Sequence, residues 1–386
     1  MTPSCDFCGC TALETVYEVP DSPKAARVLL CPVCSLLQSE YRSAGPTVKK
    51  RSLSSGPDWG NVRHGKGLRL QPNLDFIGKH SEPSGWHRIL DVGSNRGHFC
   101  RHAVGHGQVK TFTAVEPDVS VAEGYPDLPE VRFHGERFER LALDGETFDF
   151  IYCSHTLEHA DSAAEMLRTM ARLLAPQGHL FVEVPSIGIL ALTDHLEEFF
   201  IDKHTFHFAP ETLIAFVRSI GLDVIAQQPD SDRSHVTLLL GHAASPGAAP
   251  AFPPPELREV AVRTRASLAD YSRHLEANRA KLGSAREKIE FLLSRQSVAF
   301  WGAGRQLDSF LRHSGFDPGK VSAIIDEHLS GIIEEVGGAA IQKPDVLRRI
   351  QPQVVVAFAR NAFPEIAKKV RGYGVKNVIR FTDLLA

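Results

Sequence analysis

Five of the seven cysteines lie before residue 35: Cys5, Cys8, Cys10, Cys31 and Cys34. Cys5-x2-Cys8 and Cys31-x2-Cys34 make two thiolate knuckles separated by residues 9–30. Zinc takes four soft ligands in a tetrahedron, and paired CxxC knuckles supply that set. Cys10 can replace Cys8, because the local pattern is Cys-x2-Cys-x-Cys. Clustered cysteines in a reducing compartment read as metal ligands rather than disulfides. Four sulfurs leave no open coordination position, so the expected Zn2+ is structural. A second chemistry-bearing run is Leu90-Asp91-Val92-Gly93-Ser94-Asn95-Arg96-Gly97, which ends an apolar strand and opens a helix. Glycines at 93 and 97 let backbone approach a ligand closely, and a helix N-terminus favours an anionic group. Glu116, at the tip of the next apolar run, is placed to accept hydrogen bonds from both hydroxyls of a ribose.

These residues need a scaffold, and the pattern around them supplies one. Strand-like runs at 88–92, 111–115, 148–153 and 179–184 alternate with helical stretches, one of them carrying Met166, Leu167, Met170, Leu173 and Leu174. That succession predicts a parallel, doubly wound α/β sheet. A helix near 210–220 and strands near 223–227 and 235–240 follow it. Prolines at 246, 250, 253, 254 and 255 mark a connector. Residues 256–295 read as two helices with a break at Gly283-Ser284. Val298-Ala299-Phe300-Trp301-Gly302-Ala303-Gly304 then opens a second βαβ pattern, continued by 321–326 and 354–358. The expected division is a zinc-binding head and basic linker at 1–60 and a central domain at 61–242. A linker with helices at 243–296 and a smaller Rossmann-like domain at 297–386 complete it. Asp326 ends a strand where a dinucleotide's ribose would be held, but the fuller glycine fingerprint is missing.

The whole chain of 386 residues has 43 Lys+Arg against 46 Asp+Glu, a net charge of −3. A chain that holds nucleic acid through its overall field is far more basic, so the composition argues against that partner. Nothing approaches the ~18 consecutive apolar residues of a membrane helix, and the start lacks a secretory signal, so the expected location is cytoplasmic. One local exception is the stretch 42–69, where Arg42, Lys49, Lys50, Arg51, Arg63, Lys66 and Arg69 face only Asp58. It is either an anion-facing surface or a solvated linker.

The form Asp91-x-Gly93-x3-Gly97 resembles motif I of class I S-adenosylmethionine-dependent methyltransferases. Gly135-Glu136-Arg137-Phe138, Ser154-His155-Thr156-Leu157-Glu158-His159 and Leu174-Ala175-Pro176-Gln177-Gly178 fall in the family's order after the third strand, after the fourth and before the fifth. The resemblance implies S-adenosylmethionine contacts from Asp91, Gly93, Asn95, Gly97, Glu116, Glu136, Arg137, Ser154 and His155. Across nearly the full chain, the domain order resembles the bacterial sugar C-methyltransferases, which act on nucleotide-linked deoxy-keto sugars. That family carries His after the fourth strand, matched by His159, and Tyr-x-Glu-His after the fifth. Here the latter run is Ile201-Asp202-Lys203-His204, so only the His is kept. Asp232-Arg233-Ser234-His235 stands where the family has His-Gly-Gly-Glu.

The resemblance implies methyl transfer to a sugar, free or nucleotide-linked, at carbon or oxygen. A base must take a proton from the acceptor, and imidazole, with a pKa of about 6.5, suits that task. His159 and His204 are the candidates, with His195 and His207 as nearby substitutes. Lys203 could stabilise an enolate or alkoxide, or pair with a phosphate. Glu158 reads as a helix-start residue complementing the dipole. A nucleic-acid methyltransferase with a zinc clamp and a silent ligand-binding scaffold are the alternatives.

Overall fold

The computed structural model describes residues 3–20, 22, 24–42, 69–106, 108–143, 145–200, 203–229, 233–244, 250–331, 333–359 and 362–385. Lys49, Lys50, Arg51 and most of the basic stretch lie outside the described residues, as do Ile201 and Asp202. The described residues divide into two compact units: those within 3–42, 69–191 and 200–269, and those within 192–199 and 270–385.

The first unit holds two sheets. Strands β1 (Glu14–Glu18), β2 (Ala26–Leu30) and β3 (Leu37–Tyr41) form an antiparallel meander that carries the cysteine knuckles at its ends. The larger sheet takes β4 (Arg88–Val92), β5 (Thr111–Val115), β6 (Val131–His134), β7 (Phe148–Ser154) and β8 (Leu174–Pro185). A short β9 (Phe206–His207) leaves that run and pairs with β3, making the meander four-stranded. β10 (Leu222–Gln227) and β11 (His235–His242) then return to the large sheet. Its order is β10-β11-β8-β7-β4-β5-β6. β4 to β8 pair in parallel, whereas β11 lies antiparallel to β8 and β10 antiparallel to β11. The expected parallel sheet therefore ends in an antiparallel hairpin.

Parallel strands covered on both faces must be apolar throughout. Ile89, Leu90 and Val92 of β4 and Phe150, Ile151 and Cys153 of β7 are accordingly buried. Helices α1 (Leu70–Ile77) and α2 (His98–His106) bring Phe76, Ile77, Phe99 and Cys100 into a core with Trp86, Phe112, Phe150 and Phe181. Trp86 stacks on Phe150 with ring centroids 3.9 Å apart. Full burial of each such side chain stabilises by roughly 1.5–3 kcal/mol. Helix α3 (Ala163–Leu173) starts where Ser162 accepts a hydrogen bond from the Glu165 N–H, and α4 (Pro210–Ser219) starts on a proline. β8 begins at Leu174 rather than at His179. Leu174 pairs with Phe148, and a register shift absorbs Ala175 to Gly178 before His179 pairs with Phe150. Position 178 has to be small, since a Cβ there would lie 2.9 Å from the Phe148 carbonyl oxygen.

The long helix α5 (Leu257–Ala280) leads into α6 (Leu282–Leu293). The break falls at Lys281, so Gly283 and Ser284 sit inside the first turn of α6 rather than at the joint. The second unit is built on β12 (Val298–Trp301), β13 (Ile324–Ile325), β14 (Glu335–Val336), β15 (Ala339–Gln342), β16 (Val354–Ala357) and β17 (Asn377–Arg380). Their order is β14-β15-β13-β12-β16-β17, with β12, β13, β15, β16 and β17 joined by parallel pairings. Asp326 does not stand as an open carboxylate after β13. One oxygen accepts from the Ala303 N–H at 3.0 Å, and the other accepts from His328 and Leu329 at 2.8 Å. Among the described residues, no helix is long and apolar enough to cross a membrane.

Candidate active site

The turn after β4 is shaped by two glycines with positive φ, +75° at Gly93 and +68° at Gly97. Space forbids a side chain at either. A Cβ on Gly93 would lie 1.9 Å from Thr156 Oγ1, and one on Gly97 2.9 Å from the Tyr125 ring. Thr156 thus seats the segment after β7 directly on the turn, and its hydroxyl donates to the Val92 carbonyl at 3.0 Å. From the other side, the Tyr125 hydroxyl lies 2.6 Å from both Ser94 Oγ and the Asn95 carbonyl oxygen. Glu116 joins the loops after β4 and β5: one oxygen accepts from the Asn95 N–H at 3.1 Å, the other from Asp118 at 2.8 Å.

The resulting cleft at the carboxyl edge of the sheet is lined by Asp91, Gly93, Asn95 and Ser154 of the expected set. Arg69, Ser94, His98 and Tyr152 complete its polar wall; the sequence pointed to Arg69 only as the end of the basic stretch and to Ser94 only as part of the glycine run, and to His98 and Tyr152 not at all. Asp91 is buried, and that burial, with the Glu116 charge second, holds its carboxyl well above the usual range. Glu136 is exposed, on a loop whose Gly135 packs under Val119, just beyond Glu116. The Arg137 guanidinium is held by Glu139 and Asp161, each at 2.9 Å, and donates to the His159 carbonyl at 3.3 Å. Neither Glu136 nor Arg137 lines this cleft.

Under the cleft, Glu183 of β8 gathers a buried polar network. Asn73 of α1 donates to it at 2.9 Å and Ser154 at 2.6 Å, and Arg69 lies 3.6 Å away. The Arg69 guanidinium also contacts His155 and His235. His155 has a positive φ of 51°, which turns its ring between Glu183 and Glu158.

Glu158 departs from its sequence reading. It sits in a single 3-10 turn (Leu157–His159) and is only 1% exposed, so it does not decorate an exposed helix start. Burial pushes its carboxyl up to about 8. Around Oε1 stand His155 Nδ1 at 3.2 Å, His159 Nε2 at 3.8 Å and His204 Nε2 at 4.0 Å. The structure thus brings His159 and His204 together, with ring centroids 4.8 Å apart. Lys203 enters this cluster through its backbone: its carbonyl oxygen lies 2.9 Å from His159 Nδ1, while the side chain is exposed. His207 is buried against Ser39 Oγ at 2.9 Å, and burial lowers its imidazole to about 3, which makes it a poor base. His195 belongs to the other compact unit.

The cysteine knuckles converge. Ligand atoms of Cys5, Cys8, Cys31 and Cys34 all lie within 4.8 Å of one another, and Cys10 is outside that group. Cys5 Sγ is 3.4 Å from Cys34 Sγ, and Cys8 Sγ 3.5 Å from Cys31 Sγ. Contacts with Cys34 and then Cys5 hold the Cys31 thiol low, while Cys5, Cys8 and Cys34 are raised. Four crowded thiols share their protons in this way; a dication among them would let all four ionise.

A family model described as a methyltransferase domain matches residues 62–227. A ubiquinone biosynthesis O-methyltransferase of Neisseria meningitidis serogroup C (strain 053442) is 27% identical over 167 residues, covering 39% of this chain and 69% of the relative. One of the same name from Coxiella burnetii (strain Dugway 5J108-111) is 29% identical over 115 residues, covering 29% of this chain and 46% of that relative. The match thus spans less than half of the second relative. Among solved structures, an S-adenosylmethionine-dependent methyltransferase from Mesorhizobium loti aligns at 17% identity with a TM-score of 0.39, over 45% of this chain and 98% of that one. Residues 62–227, which carry the glycine turn and its sheet, thus match a methyltransferase domain, and the chain is a methyl-transfer enzyme.

Proposed function

We propose that the cleft beside Gly93 binds S-adenosylmethionine and that the acceptor is a hydroxyl of a small sugar, free or nucleotide-linked. The observation that carries this reading is the junction of cleft and cluster. Ser154 lines the cleft, and the next residues of the same segment, His155 to His159, carry Glu158 and two of the three imidazoles around it, His204 being the third. In the cleft, Asp91 suits the donor's ammonium and Arg69 its carboxylate; Glu116, bonded to the Asn95 N–H from the loop after β5, suits its ribose hydroxyls. The donor supplies an electrophilic methyl: an oxygen–carbon bond forms as the sulfur–carbon bond breaks, leaving S-adenosylhomocysteine. The chain's part is to position the hydroxyl and remove its proton. We assign that proton removal to His159 and His204, which meet beside Glu158.

A cavity of about 620 Å³ gives the acceptor room, within the range usual for small-molecule sites. It is lined by Ser186, Ile187, Arg233 and His235 among others, and His235 packs 5.2 Å from the His155 ring. Oxygen is favoured over carbon on two grounds. The relatives are named O-methyltransferases. Lys203 and Ile201 also replace the Glu and Tyr of the sugar C-methyltransferases that the domain order resembles. The four thiols of Cys5, Cys8, Cys31 and Cys34 hold a structural Zn2+, which fits a closed sulfur set.

The test is S-adenosylhomocysteine release from a panel of sugars and nucleotide sugars, with the product's methyl position read by NMR. An O-methyl sugar is expected. A C-methyl product, or turnover confined to phenolic acceptors, would overturn the acceptor assignment.

A further inference from the structure

The cluster at Glu158 has features that proton transfer alone leaves unused. Ligand atoms of Glu158, His159 and His204 all lie within 4.8 Å of one another. Ligands around one divalent ion, each at 2.0–2.2 Å, sit roughly 3–4 Å apart. The two imidazole Nε2 atoms, at 3.8 and 4.0 Å from Oε1, match that spacing. Glu158 is 1% exposed, and neither of its oxygens has a hydrogen-bond partner among the described residues. His155 Nδ1 stands 3.2 Å from Oε1 without making a hydrogen bond to it; a buried carboxylate so poorly satisfied is costly, and a cation offsets that cost.

The supporting shell is also built. A carbonyl oxygen only accepts, so the Lys203 carbonyl fixes the proton on His159 Nδ1 and leaves the Nε2 lone pair on the Glu158 side. The Thr205 N–H donates to the Glu158 carbonyl at 2.7 Å, and the Tyr41 hydroxyl donates to the His204 carbonyl at 3.0 Å. These bonds hold the segment bearing His204 against the turn bearing Glu158. The neighbouring group of His155, Glu183 and His235 has similar spacing, but there the Arg69 guanidinium already supplies the positive charge.

The geometry points to a divalent metal site formed by Glu158, His159 and His204. Two imidazoles and one carboxylate suit Mn2+, Fe2+, Co2+ or Zn2+ rather than Ca2+, which takes 6–8 oxygens. Three protein ligands leave a position open for the acceptor's oxygen. An oxygen held there loses its proton to water near neutral pH and then attacks the donor's methyl. The inference rests on the methyl-transfer reading and gives the two histidines their part in it.

The test is titration of the full-length, zinc-replete protein with Mn2+, followed by EPR of the free ion, beside calorimetry with S-adenosylhomocysteine. One Mn2+ per chain is expected. Glu158→Gln and His204→Asn should each weaken it at least tenfold, with the melting temperature and S-adenosylhomocysteine affinity kept. His159→Asn, at a partly exposed ring, serves if Glu158→Gln does not fold. Free-ion signal throughout the titration, or wild-type Mn2+ affinity in these variants, would overturn the site. Heat with S-adenosylhomocysteine but no Mn2+ binding sinks the metal site alone. Mn2+ binding without that heat upholds the site and sinks the methyl-transfer reading.

Discussion

Gly93→Ala puts the cofactor turn under a load that the structure lets one calculate. At φ +75°, a residue with a Cβ costs about 1–2 kcal/mol. The new Cβ would lie 1.9 Å from Thr156 Oγ1, 2.8 Å from Cγ2 and 2.9 Å from Cβ. Overpacking of this kind adds about 1–3 kcal/mol. Displacing Thr156 also breaks its hydrogen bond to Val92, a further loss of about 1 kcal/mol. The total of roughly 3–6 kcal/mol falls on a turn outside the sheet's hydrogen-bonded ladder, which yields before the sheet does. If half of it appears in binding, S-adenosylhomocysteine affinity drops about 10- to 100-fold at 1.4 kcal/mol per decade. Calorimetry and thermal melts on Gly93→Ala, Thr156→Ala and the double variant measure this. Thr156→Ala removes the contacts at 1.9 and 2.8 Å but leaves the one at 2.9 Å and the φ cost. The double variant should therefore recover part of the affinity, with a coupling of about 1–2 kcal/mol. Wild-type affinity in Gly93→Ala, or strict additivity in the double variant, would refute the reasoning.

Three further outcomes are expected. Burial and then Glu116 raise the Asp91 carboxyl, so the folded chain keeps a proton that the unfolded chain releases above about pH 4. Stability from this group is therefore present below that pH and falls as pH rises through the folded value. Asp91→Asn should melt at or above wild type at pH 7 without ligand, with the gap widening from pH 5 to 8; a lower melt at every pH contradicts the sign. Cys8→Ser should lose zinc by elemental analysis and lower the melting temperature, while Cys10→Ser keeps both. Zinc loss in Cys10→Ser would show that the ligand set is wrong. His159→Ala and His204→Ala should each lower kcat by about 10²–10⁴ with S-adenosylhomocysteine affinity within twofold; undiminished turnover removes both from the chemistry.

The parallel strands were legible because strands covered on both faces must be apolar runs bounded by turn residues, as at Ile89 to Gly93 and Phe148 to Ser154. The glycine turn was legible for a related reason, since close backbone approach needs glycine whatever lies opposite. What lies opposite was not legible: Thr156 and Tyr125 fill the glycine spaces from distant segments. The same holds for the network of Arg69, Asn73 and Glu183, assembled from α1 and β8. Glu158 was misread because its neighbours in sequence fit an exposed helix start. Its burial comes from the segment 203–205, held by β9 on a sheet otherwise made near the N-terminus. A strand of two residues has no periodicity to read. The preference for Cys8 over Cys10 likewise needed coordinates, since both spacings are open to a flexible knuckle.

The central claim is that the cleft at Gly93 accepts S-adenosylmethionine. Isothermal calorimetry of the zinc-replete chain with S-adenosylmethionine and S-adenosylhomocysteine tests it most directly. One site per chain for each is predicted, weakened by Gly93→Ala. A folded protein that gives no heat with either, yet binds a nicotinamide dinucleotide, would contradict it.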